Sequence, residues 1–178
     1  NIAREYNLLR MGDKTFTELK WALKNQNGRK VIANYGMDPL LGKYYRSFCN
    51  DCLLIAREHP PVKICSACGN KNMVKGVMDR IVEIRDYEEP HHPVGRPPYH
   101  YRVPLKDLPG VGPKTLLKLK KHFVSEIEIL EKANLQIIAG IAGTLVAGQI
   151  EKMRGGRLRI EPGGGGYYGK VARDHIDS

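Results

Sequence analysis

The chain has no long apolar stretch, since no run approaches the roughly 20 consecutive apolar residues that a membrane-spanning helix needs. It also has no secretory signal, because the first residues, NIAREYNLLRM, mix charged, polar and apolar side chains. An initiator methionine is missing, so we expect the 178 residues to be a piece of a longer protein. Together these absences predict a cytoplasmic protein with no membrane partner.

Cysteine is scarce, and its four copies form two pairs, Cys49-x-x-Cys52 and Cys65-x-x-Cys68, separated by 12 residues. Two such turns can place four thiolates around one ion, and four thiolates with no open position favour zinc. There are three alternatives. Two disulfides are disfavoured because the chain has no secretory signal, and a redox pair does not explain the second Cys-x-x-Cys. An iron–sulfur cluster is disfavoured because its usual cysteine spacings differ. We therefore predict one structural Zn²⁺, with Gly69 supplying a left-handed turn after the last cysteine.

Acidic residues are fewer than basic ones, 19 against 29, and the formal net charge is +10. Most of the excess lies in residues 1–48, with nine basic and four acidic side chains, and in residues 90–125, with seven basic and one acidic. A concentrated basic patch is typical of a protein that binds a polyanion. A solvated basic face is the alternative, and charge alone does not separate the two.

The patterns along the chain predict an α+β protein built from small modules. The predicted segments are residues 1–48 as the C-terminal end of an α/β domain, 49–89 as a zinc-ribbon-like module, 90–104 as a linker, 105–154 as an all-α domain and 155–178 as a glycine-rich tail. The linker holds five prolines, which cannot donate to a strand ladder, so we expect it to be extended.

Local patterns also predict short elements in the first two segments. Thr15 or Thr17 can cap a helix, and the apolar face of that helix is expected to be formed by Phe16, Leu19 and Leu23. The runs KVIANYG and VKGVMDRIVEI are rich in β-branched residues, so both are predicted to be strands.

The stretch DLPGVGPKTLLKLKKHF, residues 107–123, has the form of a turn that leads into a helix. Gly110 and Gly112 permit a backbone turn that side chains would block, while Val111 between them can point into the core. Pro113 suits the first position of a helix, where its missing N–H costs nothing. The helix start exposes backbone amides and a positive dipole end, for which a phosphate oxygen is a natural partner.

The helix that follows has two different faces. Its apolar face is predicted to be Leu116, Leu119 and Phe123, and its basic face Lys114, Lys118 and Lys121. This arrangement resembles the helix–hairpin–helix motif of DNA-repair and replication proteins. An ordinary turn between two helices is the alternative.

A second, weaker hairpin is predicted in LQIIAGIAGTLVAGQI, at Gly140-Ile141-Ala142, after a capping box at Ser125-x-x-Glu128. Such a tandem is similar to that of structure-specific nucleases. Because Ala142 replaces the second glycine, contact with phosphate and a purely structural role both stay open for this hairpin. The predicted DNA-binding residues are Gly110, Val111, Gly112, Lys114, Thr115, Lys118, Lys121, Gly140, Ile141 and Lys170.

Three other motifs have two readings each. The run GGGGYYGK can bring Lys170 to a phosphate and a tyrosine to a base, or it can be a floppy tail. Asp79-Arg80 can contact DNA, or it can form an ion pair. His91-His92 in the linker is expected to be solvated, because no carboxylate is spaced to complete a metal site with it.

Taken in order, these motifs and the runs IAREYNLL, LLGKYY, RPPYHYRVPL and GGGGYYGKV resemble the C-terminal part of the endonuclease Q family, over roughly residues 2–171. The resemblance implies a DNA-repair endonuclease that cuts beside deaminated bases such as uracil and hypoxanthine. It also implies that an upstream PHP domain, which ends within residues 1–48, holds the catalytic metals. None of the 178 residues is then expected to be catalytic. DNA would be the partner, and the protein would be associated with the nucleoid.

Two other functions stay open at this point. The chain could be a non-enzymatic, zinc-containing adaptor that binds nucleic acid, or a scaffold whose hairpins dock protein. A protein partner such as a replication clamp and the preferred lesion are also left open by the sequence.

Overall fold

A computed structural model describes residues 4–172, which form a mixed α+β structure. The helices are α1 (Phe16–Lys24), α2 (Val77–Ile84), α3 (Pro113–His122), α4 (Glu126–Glu131), α5 (Leu135–Ala142) and α6 (Thr144–Arg154). The strands are β1 (Tyr6–Arg10), β2 (Lys30–Met37), β3 (Phe48–Cys49), β4 (Leu54–Ile55), β5 (Met73–Val74), β6 (Tyr99–Arg102), β7 (Ile160–Glu161) and β8 (Lys170–Val171). None of the helices in the described range is long and apolar enough to cross a membrane.

The chain divides into two compact units. The first unit consists of Asn1–Met37 and His92–Leu158, and the second of Asp38–His91 and Arg159–Ser178. Each unit therefore combines two separate stretches of sequence. The five segments predicted from the sequence have other boundaries, and that division stays a prediction. The outer ends of its first and last segments, residues 1–3 and 173–178, lie outside the described residues.

In the first unit, a sheet with the strand order β1-β2-β6 holds the two stretches together. Strand β1 is antiparallel to β2, and β6 is parallel to β2 on its other side. Strand β6 lies within the segment predicted as an extended, proline-rich linker. Its four residues contain no proline and occupy the edge of the sheet, where a proline-flanked strand is tolerated.

Three helix starts lie where the sequence predicts them. The Thr15 side chain accepts a hydrogen bond from the Glu18 amide at the start of α1, and the Ser125 side chain accepts one from the Glu128 amide at the start of α4. Pro113 is the first residue of α3. Capping residues act on amides only three positions away, so local sequence is enough to place them.

The predicted apolar face of α1 is wrong for two of its three residues, while Leu19 is half-buried. Phe16 and Leu23 are 81% and 66% exposed, whereas Ala22 and Glu18 are buried. Burial of Glu18 is compensated because Arg29 donates two hydrogen bonds of 2.7 Å to its carboxylate. A paired carboxylate can therefore occupy a buried position that periodicity alone assigns to apolar residues.

The helical part of the first unit has a closed apolar core. Its fully buried side chains include Leu105, Leu119, Ile129, Leu130, Ile138, Val146 and Ile150. The core is joined to the sheet by an ion pair in which Arg102 Nη2 lies 2.8 Å from Glu131 Oε2, and the Tyr6 hydroxyl donates to Glu131 at 2.7 Å. Burial raises the pKa of the Glu131 carboxyl, but the hydrogen bonds from Arg102 and Tyr6 lower it, so the net pKa lies below its usual value.

The second unit contains the sheet β4-β3-β5, the β7–β8 pair and helix α2. The strand predicted over VKGVMDRIVEI is wrong, because Val77–Ile84 is helical. Its apolar residues Val77, Ile81 and Ile84 are spaced at helical intervals but are exposed, so they form no core face, and the buried residue of the helix is Asp79. Tertiary bonds to Asp79, in the first turn of α2, also favour the helix.

Candidate metal centre and nucleic-acid interface

The four cysteines converge in the second unit. Their Sγ atoms all lie within 4.8 Å of one another, with 3.7 Å between Cys49 and Cys68 and 3.9 Å between Cys52 and Cys65. A tetrahedral zinc with Zn–S bonds of about 2.3 Å places its sulfurs about 3.8 Å apart. All four thiols are free of disulfides. The predicted ligands are thus brought together at a spacing that fits one metal ion.

Each cysteine pair is followed by a residue in the left-handed region. Gly69 has φ 72°, as predicted, and Leu53 has φ 54° at the equivalent place after the first pair. The Gly69 amide donates to the Cys65 carbonyl at 2.8 Å, and the Cys65 amide donates to the Asn70 carbonyl at 2.9 Å. These bonds form a tight turn that directs thiolates to one side. The left-handed conformation of Leu53 was not predicted, although Leu53 follows Cys52 just as Gly69 follows Cys68.

Asp79 is fully buried and accepts three hydrogen bonds from two other segments of the second unit. Its Oδ1 accepts the Val62 amide at 2.7 Å, and its Oδ2 accepts the Ser47 amide at 3.1 Å and Arg46 Nε at 3.3 Å. Burial raises the pKa of the Asp79 carboxyl, but these donors lower it, so the net pKa lies below its usual value. The ion-pair reading of Asp79 is confirmed, while the exposed Arg80 pairs with a neighbouring glutamate on α2.

The glycine-rich run is packed against the chain around β3. A Cβ atom at Gly165 would collide with the Phe48 ring, and one at Gly169 would collide with the Leu40 carbonyl oxygen. Only glycine permits this approach, so the floppy-tail reading is wrong for the described part of this run. Tyr168 is 73% exposed beside it, and Lys170, a predicted DNA contact, lies 3.2 Å from a Glu161 oxygen.

The first hairpin has one glycine that its conformation requires. Gly110 has φ 85°, and a Cβ atom there would lie 3.1 Å from Val146. Val111 is buried, as predicted. Gly112 has φ −84° and open space around it, so the expectation that both glycines are required is wrong for Gly112.

Helix α3 has the two faces that the sequence predicts. Leu119 is fully buried, and Leu116 and Phe123 are half-buried. Lys114, Lys118 and Lys121 are exposed, while Thr115 is half-buried. None of these three lysines forms an ion pair within residues 4–172. Helix α3 therefore presents three uncompensated positive charges.

The second hairpin does not lie where it was predicted. Gly140, Ile141 and Ala142 are the last residues of α5, and the chain turns at Gly143, which has φ 92°. Glycine can adopt a positive φ at little steric cost and therefore often ends a helix. Gly143, which directly precedes Thr144 at the start of α6, marks the turn between the two helices, and the sequence analysis did not predict it. Gly140 is exposed and Ile141 half-buried on α5.

No protein-family model matches the chain. The uncharacterized protein YqxK of Bacillus subtilis (strain 168) is 46% identical over 173 residues, which are 96% of this chain and 43% of that protein. An uncharacterized protein of Methanocaldococcus jannaschii is 33% identical over 189 residues, which are 96% of this chain and 23% of that protein. The chain therefore spans less than half the length of these curated relatives.

Two solved structures have a similar fold. The lesion-specific endonuclease PfuEndoQ from Pyrococcus furiosus matches 97% of this chain with 45% of its own, at a TM-score of 0.77 and 34% identity. Endonuclease Q in complex with a 27-mer duplex substrate, with an abasic lesion at the active site, matches 97% of this chain with 46% of its own, at a TM-score of 0.70 and 35% identity. The resemblance to the endonuclease Q family that the sequence motifs predict is therefore confirmed over nearly the whole of this chain.

Proposed function

We propose that this chain is the DNA-binding part of an endonuclease Q-like repair enzyme that acts on deaminated bases such as uracil and hypoxanthine. One observation carries the proposal. The fold matches endonuclease Q in complex with a duplex substrate over 97% of the chain. The matched region is less than half of that structure, so we place the catalytic metals of the PHP domain outside these 178 residues.

In this proposal, the start of α3 binds the DNA backbone as part of a helix–hairpin–helix domain formed with α4 to α6. No side chain of the described residues caps the start of α3, so the amides of Lys114 and Thr115 are available to a phosphate oxygen. Lys118 and Lys121 extend the same positive surface along the helix. Phosphate contacts carry no base identity, so this helix positions DNA without reading its sequence.

We further propose that the cysteine cluster holds one structural zinc in a zinc-ribbon-like module. The sulfur separations fit a tetrahedral Zn²⁺, and four thiolates leave no position for a reacting water. The strands around it, β3, β4 and β5, have two residues each, which is too short for a sheet to be stable alone. The metal therefore stabilises the second unit and has no catalytic role.

The test is affinity for a uracil-containing duplex, measured against salt concentration. We expect the double variant Lys118→Ala, Lys121→Ala to bind more weakly and to lower the salt slope by about two, since each phosphate contact contributes about 0.9. The control, Lys14→Ala with Lys20→Ala, removes two exposed charges from α1 and its approach, and it should leave the slope unchanged. Unchanged binding by a folded Lys118, Lys121 variant would refute the proposed role of α3 and favour a scaffold that docks protein.

A further inference from the structure

A basic groove lies in the first unit, away from the hairpin in sequence. It has a volume of about 640 Å³ and lies between the end of α1, the end of β1, the start of β2 and the proline-rich approach to β6. Three cations line it: Arg10, Lys30 and Arg96. Among residues 4–172, no carboxylate lines it, and the rest of its wall is mainly apolar, including Leu23, Ile32, Pro97 and Pro98.

Two of these cations lie side by side on neighbouring strands. Arg10 and Lys30 are direct partners in the antiparallel pairing of β1 with β2, so their side chains leave the same face of the sheet. Like charges directly opposite each other destabilise a pair of strands. A local arrangement that opposes folding is expected where function requires it.

The three cations are also uncompensated. None of Arg10, Lys30 and Arg96 forms an ion pair or a side-chain hydrogen bond with any residue in the described range. Arg29, one residue before Lys30, differs, because it is neutralised by Glu18. The chain therefore neutralises the neighbouring cation and leaves the three that line the groove free for an external anion.

We propose that this groove binds an unpaired strand of nucleic acid, with phosphates on Arg10, Lys30 and Arg96 and with sugars and bases against the apolar wall. A duplex is too wide to enter a space of this volume, whereas a single unpaired strand can lie in it. Proteins that hold single strands combine a positive groove with aromatic side chains on which the bases stack, and in this groove aliphatic side chains and prolines would take that place. The inference rests on the proposed DNA binding and adds to it a second contact, specific for an unpaired region.

The experiment compares a single-stranded oligothymidylate with a duplex, using the whole chain. The triple variant Arg10→Gln, Lys30→Gln, Arg96→Gln should bind the single strand on the order of tenfold more weakly at low salt, with a salt slope smaller by about two, because each contact contributes about 0.7 on single strands. The affinity of this variant for the duplex should equal that of the wild type. Its melting temperature should not fall, since the variant removes the repulsion between Arg10 and Lys30.

The control variant replaces Lys14, Lys20 and Lys24 with Gln. These residues are exposed and lie outside the groove lining, and their substitution removes the same amount of positive charge. Equal losses in the two triple variants, or no loss in the groove variant, would overturn the inference. If the wild-type chain binds duplex and not the single strand, the groove proposal alone fails. If it binds neither, the proposed function fails with it.

Discussion

At the scale of single residues, Asp79 shows how one buried carboxylate can organise a small unit. It is the acceptor for two backbone amides and for the Arg46 guanidinium, and those donors come from segments on either side of the first cysteine pair, Cys49 and Cys52. Ser47 adds a second connection, because its hydroxyl accepts the Gly76 amide at 2.9 Å. A Cβ atom at Gly76 would collide with the backbone at Arg46, so glycine is required before α2.

Asp79→Asn should therefore destabilise the protein by about 3 kcal/mol at pH 7, because an NH2 group replaces one acceptor oxygen and faces a buried donor, and because the Arg46 charge loses its counterion. The folded-state pKa of Asp79 is lowered, so its stabilisation is present above the ordinary aspartate pKa of about 3.9 and is lost as pH falls through the lower folded value. The difference between the variant and the wild type should then shrink below about pH 4.

Denaturant unfolding of both proteins at several pH values measures this. The control is Asp86→Asn, which removes the same charge from an exposed position and should change stability by less than about 0.5 kcal/mol. Equal stability of Asp79→Asn and the wild type at pH 7 would contradict the structural role of this carboxylate.

At the scale of elements, we propose that the two cysteine turns determine whether the second unit folds. Its central sheet consists of two-residue strands, and Cys49 itself is the last residue of β3. Such short strands supply few hydrogen bonds and little apolar burial, so a metal that joins both turns supplies what the core lacks.

We expect about one zinc per chain by elemental analysis, and a large loss of thermal stability when a chelator removes it. Cys65→Ser should behave like the metal-free protein, because it removes one of the four thiolates. The matched control is Ala67→Ser, which adds a hydroxyl to the same turn and keeps every ligand. A metal-free chain that melts at the wild-type temperature would show that the cluster does not hold the unit together.

At the scale of the whole molecule, we propose that this chain and the rest of a longer enzyme divide the activity between them. Within residues 4–172, the cluster of side chains that could bind a metal ion consists of the four cysteines. A zinc ion held by four thiolates offers no site for a reacting water. The relatives are more than twice as long as the region that this chain matches. The proposal assigns this chain a DNA-handling role and assigns cleavage to the rest of the enzyme.

The chain alone is accordingly expected to leave duplexes that contain uracil, hypoxanthine or an abasic site uncut in Mg²⁺, Mn²⁺ or Zn²⁺. PfuEndoQ, a lesion-specific endonuclease, is the positive control in the same assay. The proposal would be wrong if this chain cuts the DNA and a single substitution within residues 4–172 abolishes that cutting. Product analysis on a denaturing gel is sufficient to decide.

Much of the candidate site was predictable from sequence because its determinants are short-range. The spacing of Cys49 to Cys52 and of Cys65 to Cys68 predicts a shared ion, since each pair spans one turn. The same holds for Pro113 and Ser125, whose effects on helix starts reach only the next few amides. The likeness to endonuclease Q also followed from short motifs that keep their order along the chain.

Only the tertiary structure decided the features that depend on residues far apart in sequence. Burial of Glu18 requires Arg29, and the helical state of Val77–Ile84 is supported by amides that reach Asp79 from other segments. The basic groove exists because strand pairing places Arg10 opposite Lys30, 20 positions later in the chain. Local sequence determines turns, caps and metal ligands, whereas the partners of buried charges and the grouping of distant cations are determined by how the elements pack.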